Sequence, residues 1–345
     1  MTTENVTLVY VANAESQDIA VLQLAPDGAL TPVTTVPVPG PTKPGLSLPL
    51  AVNPSGTFLY AALRNAPYSV AAFTIEPRVG RLAFVGSTPL TNSMAYIGTD
   101  RTGSFLLGAS YHGNEVTVSP IAPNGTVGRP GQVIENRPKA HCILTDASNR
   151  HALHTSLGGD VVHQERFDAG SGTLSSNDPP AIRVEANAGP RHLTFAPGGN
   201  FVYLVGELDA AIRVFPYDAA KGTLAQEIQV ASALPKRFSG TPWAADIHLT
   251  PDGGYLYASE RTSSTLAAFR VDPANGVLTP IGSYATARQP RAFNIDPSGR
   301  YLLSAGQLSN SMVVYSIDAA SGALTALEEY PTGRSPSWVE VVRLP

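Results

Sequence analysis

The chain has one cysteine, Cys142, among 345 residues. An internal disulfide is therefore excluded, and a reducing compartment fits. Charge is also sparse: only 14% of residues are Asp, Glu, Lys or Arg, and the formal net charge is −4. The basic residues are scattered along the chain, which argues against a nucleic-acid partner. No run of 18 apolar residues occurs, so no membrane partner or spanning segment is expected. The opening "MTTENVTLVYV" lacks a basic start followed by an apolar core, so it does not read as a secretory leader. Helix signals are nearly missing. So are the G-x-S-x-G elbow, the phosphate loop, H-E-x-x-H and CxxC, and no metal or cofactor is expected. What remains is a soluble, cytoplasmic, all-β chain.

Turn residues are abundant, with 31 glycines and 30 prolines, and they fall in a regular order. A turn ending in glycine and followed by an alternating apolar run recurs at Gly28, Gly80, Gly125, Gly172, Gly222, Gly276 and Gly322, at steps of 45 to 54 residues. That is the length of one four-stranded propeller blade, roughly 40–50 residues. A second set of segments runs in phase with the first. Examples are "LPLAVNPSGTFLYAAL" from Leu48, "RHLTFAPGGNFVYLVGEL" from Arg191 and "RAFNIDPSGRYLLSAGQ" from Arg291. Each is a strand, a Pro/Asp/Gly turn and a second strand, which is hairpin chemistry. Six copies are complete and the seventh is split between the chain ends: "SWVEVVRLP" supplies its first strand and "TLVYVANAES" its second. The expected fold is one domain, residues 1–345, forming a seven-bladed β-propeller whose ring closes by pairing the N- and C-terminal strands in one blade.

This strand order sorts the loops between two faces. The tight turns such as "APGG" and "TPDG" gather on one face, while the starts of the inner strands and the ends of the second strands share the other. That second face also carries the least regular connections, 36–47 and 231–243, so it is the face expected to hold a site. His141, Arg191 with His192, Asp246 with His248, and Arg291 stand at the starts of inner strands. Glu15, Arg64, Tyr111 with His112, Glu207, Glu260 with Arg261, and Gln307 stand at the ends of second strands. Any one arginine at a blade edge is more often a solvated or ion-paired surface group. A ring of arginines, histidines and acids around one channel mouth, however, is costly without a ligand. Trp243 reads as either a pocket wall or a packing anchor. His151, His154 and His163 read as structural, Asp100, Asp146 and Asp252 as turn formers, and Cys142 as core.

The segments "GPRHLTF" at 189–195, "GELDAAI" at 206–212, "WAADIHLTPDGGYLYASERTSS" at 243–264 and "QPRAFNIDPSG" at 289–299 resemble the seven-bladed bacterial 6-phosphogluconolactonases. That family also includes fungal cyclases acting on carboxymuconate. The resemblance runs from Val9 to about Trp338 and implies hydrolysis of a sugar-acid lactone, in the standard case 6-phosphoglucono-δ-lactone of the pentose phosphate pathway. It carries catalytic roles onto His141, Arg191, Glu207 and Arg261. Substrate contacts are expected from Arg64, Tyr111, His192, Trp243, Asp246, His248, Arg291 and Gln307. The expected partner is a small, anionic sugar lactone. A non-phosphorylated lactone and a carboxymuconate-type cyclisation stay open, as does, further off, a propeller that only binds a protein. The segments "KAHCILTDASNRHALHTS", "TKPGLSLPLAV" and "GGDVVHQE" depart from the family pattern, which bears on the choice of lactone. As chemistry, a neutral His141 beside Arg191 would serve as base, with Glu207 as an alternative base or orienting group, and arginines would hold the oxyanion.

Overall fold

The computed structural model describes residues 5–41, 43 and 45–344. Thr42 and Pro44, inside the long connection expected at 36–47, lie outside the described residues, as do residues 1–4 and Pro345 at the chain ends. Seven antiparallel sheets follow one another along the chain, six of four strands and one of five. The innermost strands are Leu50–Val52, Met94–Thr99, Ala140–Thr145, Pro190–Phe195, Ala244–Leu249, Pro290–Ile295 and Pro336–Leu344, and each packs beside the next around a central channel. The result is the expected seven-bladed propeller. Among the described residues the sole helical element is a 3-10 turn at Leu157–Gly159, and no helix is long and apolar enough to cross a membrane.

The ring closes as the split repeat implies. Pro336–Leu344 is the inner strand of the first blade and pairs with Val6–Asn13, with Val9 opposite Val341 and Ala12 opposite Trp338. The free edge is thereby satisfied by the other end of the same chain.

Blades interlock through the repeated glycines. All seven adopt positive φ, between 70° and 91°. At Gly276 an added Cβ would meet the Phe201 ring at 2.6 Å, so the missing side chain makes room for an aromatic wedge from the neighbouring blade as well as for the turn. The wedge facing Gly222 is His151, pinned by Asp146 at 3.2 Å, which explains that histidine structurally. Asp100 and Asp146 accept backbone N–H groups of their own turns, as turn-forming carboxylates do.

A second repeat is invisible in the strand pattern. In six of the seven blades the inner strand carries a β-bulge at its second or third residue: at Ala95, His141–Cys142, Arg191, Ala245–Asp246, Arg291 and Ser337. Bulges insert one extra residue and re-aim its side chain. The surplus N–H groups are taken up by hydroxyls of the second strand, Cys142 N–H donating to Thr155 Oγ1 at 3.0 Å and Asp246 N–H to Ser259 Oγ at 3.0 Å. Cys142 itself is fully buried among Leu153, Val162 and Leu193, a core position.

Candidate active site at the channel mouth

The bulges crowd polar side chains into one end of the channel. Arg191 comes from an inner strand, Glu207 from the end of its partner strand, and Arg261 from the equivalent position one blade on. Glu207 Oε2 accepts from Arg191 Nε and from an Arg261 terminal nitrogen, both at 2.8 Å. Backbone carbonyls fix the rest: Arg191 donates to Ala245 O, and Arg261 to Trp243 O at 3.0 Å and Ala244 O at 2.9 Å. Both guanidiniums are buried, and Arg261 lies 3.9 Å from the centroid of the Trp243 ring. Trp243 is 39% exposed, so it caps Arg261 as a wall of the mouth and is not a core anchor. Each arginine keeps one terminal nitrogen free of partners among the described residues, and so does Glu207 its Oε1. Burial would raise the Glu207 carboxyl, but Arg191 and Arg261 outweigh it and hold it below its usual range.

Arg64 and Arg291 face the same space on different terms. Arg64 donates to Ser93 Oγ at 3.1 Å and Ser47 Oγ at 2.8 Å, but it has no carboxylate partner. Arg291 makes no hydrogen bond or ion pair among the described residues. Burial first, then Arg191, Arg261 and Arg64, pull it well below its ordinary value. A guanidinium does not deprotonate in proteins, so this shift expresses the cost of burying a cation beside other cations, which an anion would relieve.

His141 lies between these groups. Burial, then Arg191, His192, Arg291 and Arg64, hold its imidazole well below the ordinary value, so it is neutral near pH 7. Its Nδ1 is buried without a partner, leaving Nε2 as the nitrogen available to a substrate. Tyr111 flanks it at 6.1 Å between ring centroids, with the Lys139 ammonium 5.6 Å from the Tyr111 ring.

One storey down, His192 crosses the channel. It meets Tyr96 at 5.5 Å and Trp338 at 6.0 Å, rings contributed by two other blades, and together they plug the passage. Below the plug is a cavity of about 270 Å³ lined by Asp246, His248, Asn294 and Glu340, whose strands become more exposed toward the tight-turn face. Asp246 and His248 therefore belong to this lower level and not to the mouth. Burial pushes the Glu340 carboxyl up to about 7, against a 2.8 Å bond from Trp338 Nε1 that favours its ionised form. Among the described residues no three His, Cys, Asp or Glu side chains are grouped to hold a metal ion.

The structure thus gathers His141, Arg191, Glu207, Arg261, Arg64, Arg291, Tyr111 and Trp243 at one mouth. Gln307 stands apart on the rim, tied to Gln289 and Ser335 at 3.3 Å each. Glu15 forms an exposed pair with Arg334. Sequence reasoning missed Tyr96, Trp338 and Glu340. The signal for the last two was a Trp and a Glu spaced by two in an inner strand, where apolar residues are expected.

The model of the family described as "Lactonase, 7-bladed beta-propeller" matches residues 5–341. This chain belongs to the seven-bladed β-propeller lactonase family. It is 40% identical over 290 residues to a 6-phosphogluconolactonase of Pectobacterium atrosepticum, covering 84% of each chain. A 6-phosphogluconolactonase of Serratia proteamaculans is also 40% identical, over 291 residues, covering 84% of this lactonase and 85% of the relative. Among solved structures, a putative 6-phosphogluconolactonase from Bacteroides fragilis superposes with a TM-score of 0.88 at 28% identity, covering 99% of both chains. The periplasmic gluconolactonase of Pseudomonas aeruginosa superposes at 0.89 with 25% identity, covering 99% of the lactonase and all of the neighbour.

Proposed function

We propose that this lactonase hydrolyses 6-phosphogluconolactone to 6-phosphogluconate, the lactone-opening step of the oxidative pentose phosphate pathway. The observation that carries the reading is the division of the four arginines. Arg191 and Arg261 share the single carboxylate of Glu207, while Arg64 and Arg291 face the same mouth without a counter-ion. Two uncompensated guanidiniums suit a dianionic phosphate, and forked donors bind one well. The names of the curated relatives point the same way.

The geometry supports the following chemistry. His141 Nε2 takes a proton from a water as that water attacks the lactone carbonyl. The carbonyl oxygen becomes negative, and the free terminal nitrogens of Arg191 and Arg261 donate to it. Because Glu207 and the backbone carbonyls already hold both guanidiniums, little reorganisation is needed as that charge develops. The tetrahedral carbon then expels the ring oxygen, which recovers the proton from the His141 imidazolium. The new carboxylic acid releases one proton to solvent. Glu207 sits in this scheme as the clamp of the arginines, since its ionised carboxylate is already engaged by both of them.

The substrate phosphate also favours the cytoplasm, and the whole 345-residue ring is read as one domain serving one mouth. A non-phosphorylated lactone is the second reading, favoured by the serine contacts that already partly satisfy Arg64 and by the fold neighbour described as a periplasmic gluconolactonase. The deciding experiment measures kcat/KM on 6-phosphogluconolactone, glucono-δ-lactone and carboxymuconate side by side. We expect a preference for the phosphorylated lactone of at least tenfold. Equal rates on both sugar lactones would overturn the phosphate reading, and turnover of carboxymuconate alone would overturn the hydrolase reading.

A further inference from the structure

His141 has no orienting partner among the described residues, yet a buried base needs one to fix which nitrogen carries the proton. The neighbouring ring supplies a candidate. His192 lies directly beside it, with ring centroids 5.1 Å apart and planes tilted by 60°. His192 Nδ1 is 2.8 Å from Asp246 Oδ1. Asp246 is held in turn by His248 Nε2 at 3.2 Å, by the Phe293 N–H at 3.3 Å, and through its own N–H by Ser259. Burial opposes ionisation of Asp246, but His248 and His192 outweigh it, so the group is a carboxylate. His192 Nδ1 must then be the protonated nitrogen that donates to it, and Nε2 is left with the lone pair. That Nε2 is buried with no partner, and so is Nδ1 of His141.

Two adjacent buried rings therefore each present one orphaned nitrogen, and one of the pair is certainly an acceptor. An unsatisfied buried polar atom costs about 1–3 kcal/mol. A rotation of the His141 ring that lets Nδ1–H donate to His192 Nε2 would satisfy both at once. We propose that Asp246 and His192 form an orienting chain that locks His141 as the tautomer with its proton on Nδ1, so that Nε2 presents its lone pair to the mouth. Both are positioning residues that act through His141. The chain also explains why His192 crosses the channel between Tyr96 and Trp338: the rings hold it at the depth where it can reach both Asp246 and His141. The charged groups around the pair are Arg191, Arg64 and Arg291 at the mouth side and His248 on the Asp246 side.

The kinetic half of this inference rests on the lactonase reading, but the tautomer does not. Nitrogen-15 NMR of the imidazoles, with His141 assigned by its absence from His141→Gln, should show His141 protonated at Nδ1 in the wild type and mixed or reversed in Asp246→Asn. On whichever lactone the wild type opens, Asp246→Asn and His192→Phe should each lower kcat by about 10- to 100-fold with KM nearly unchanged. His192→Gln, which restores an acceptor near the Nε2 position, should recover most of that loss, and it keeps the test decisive if Asp246→Asn fails to fold. A wild-type His141 protonated at Nε2 would overturn the proposal. So would a His192→Phe enzyme that changes only KM, since that is what direct substrate contact by His192 predicts. If the wild type opens no lactone, the function is wrong, and the NMR result still decides the tautomer.

Discussion

The two halves of the arginine cluster are made from the same residue and sit within one channel mouth, yet they are held on different terms. Arg191 and Arg261 share a carboxylate, Glu207, and are pinned by backbone carbonyls. Arg64 is held only by two serine hydroxyls, and Arg291 by nothing among the described residues. The first pair is partly compensated and rigid, which suits stabilisation of charge that appears only in the transition state. The second pair is uncompensated, which suits an anion that the substrate brings with it and keeps throughout. A site with four equivalent arginines would bind anions without distinguishing the reacting end of the molecule from its far end.

The largest effect should come from the group between the halves. His141→Ala should lower kcat by about 10²–10⁴-fold, the usual contribution of a general base. KM for the phosphorylated lactone should hardly move, because the grip of Arg64 and Arg291 is untouched. An equal loss in both parameters would mean that grip and chemistry are not separable here.

Next comes the clamp. Glu207→Gln strands two buried guanidiniums, and breaking a buried pair of this kind costs about 3–5 kcal/mol. Thermal or urea unfolding should report most of that loss, and kcat should fall with it as Arg191 and Arg261 lose their fixed geometry. If unfolding is unchanged while kcat collapses by 10²-fold or more, Glu207 is a reacting group and the base role passes to it.

The uncompensated half predicts a smaller and more selective change. A hydrogen bond to a charged group contributes roughly 1.5–3 kcal/mol, about 10- to 150-fold in affinity. Arg291→Met, and to a lesser degree Arg64→Met, should raise KM for 6-phosphogluconolactone by that factor and leave kcat nearly intact. Glucono-δ-lactone should not feel either substitution. Arg191→Met and Arg261→Met should instead lower kcat on both lactones, and the contrast between the two pairs of variants is the test.

The smallest expected effect is in pH dependence. The base must be neutral to act, and burial together with the cations around His141 disfavours its protonation. The acid limb of kcat/KM should therefore lie below pH 6.5, the ordinary imidazole value, with activity lost only as pH falls through that lowered midpoint. Removing one cation in Arg291→Met should move the midpoint back up toward 6.5. A midpoint that does not respond to Arg291 would place the titrating group elsewhere.

Much of this architecture is legible in the sequence. The glycine turns and hairpin segments repeat often enough to count the blades, and the split seventh copy marks "SWVEVVRLP" as the strand that closes the ring. The mouth residues could be collected because strand direction alone decides which loop face they reach. Three things were not legible. The bulges at His141–Cys142, Arg191 and Arg291 are set by one unpaired residue in a register of partners, and no composition rule marks them. The depth of a side chain along the channel was equally hidden, so Asp246 and His248 were grouped with mouth residues although they line the cavity below. Gln307 shares its strand position with Glu207 and Arg261 but turns to a rim contact with Gln289 and Ser335.

The repeat by itself determined the fold, because turn chemistry and strand alternation are local and each blade-length segment carries them in full. It also determined which residue types surround the channel, since strand order leaves only one end for them. Which arginine is paired with a carboxylate, which is left without a counter-ion, and which histidine lies against a carboxylate were decided only in three dimensions. Those properties depend on groups such as Arg191, Glu207 and Arg261, which come from neighbouring blades and meet only once the ring has closed.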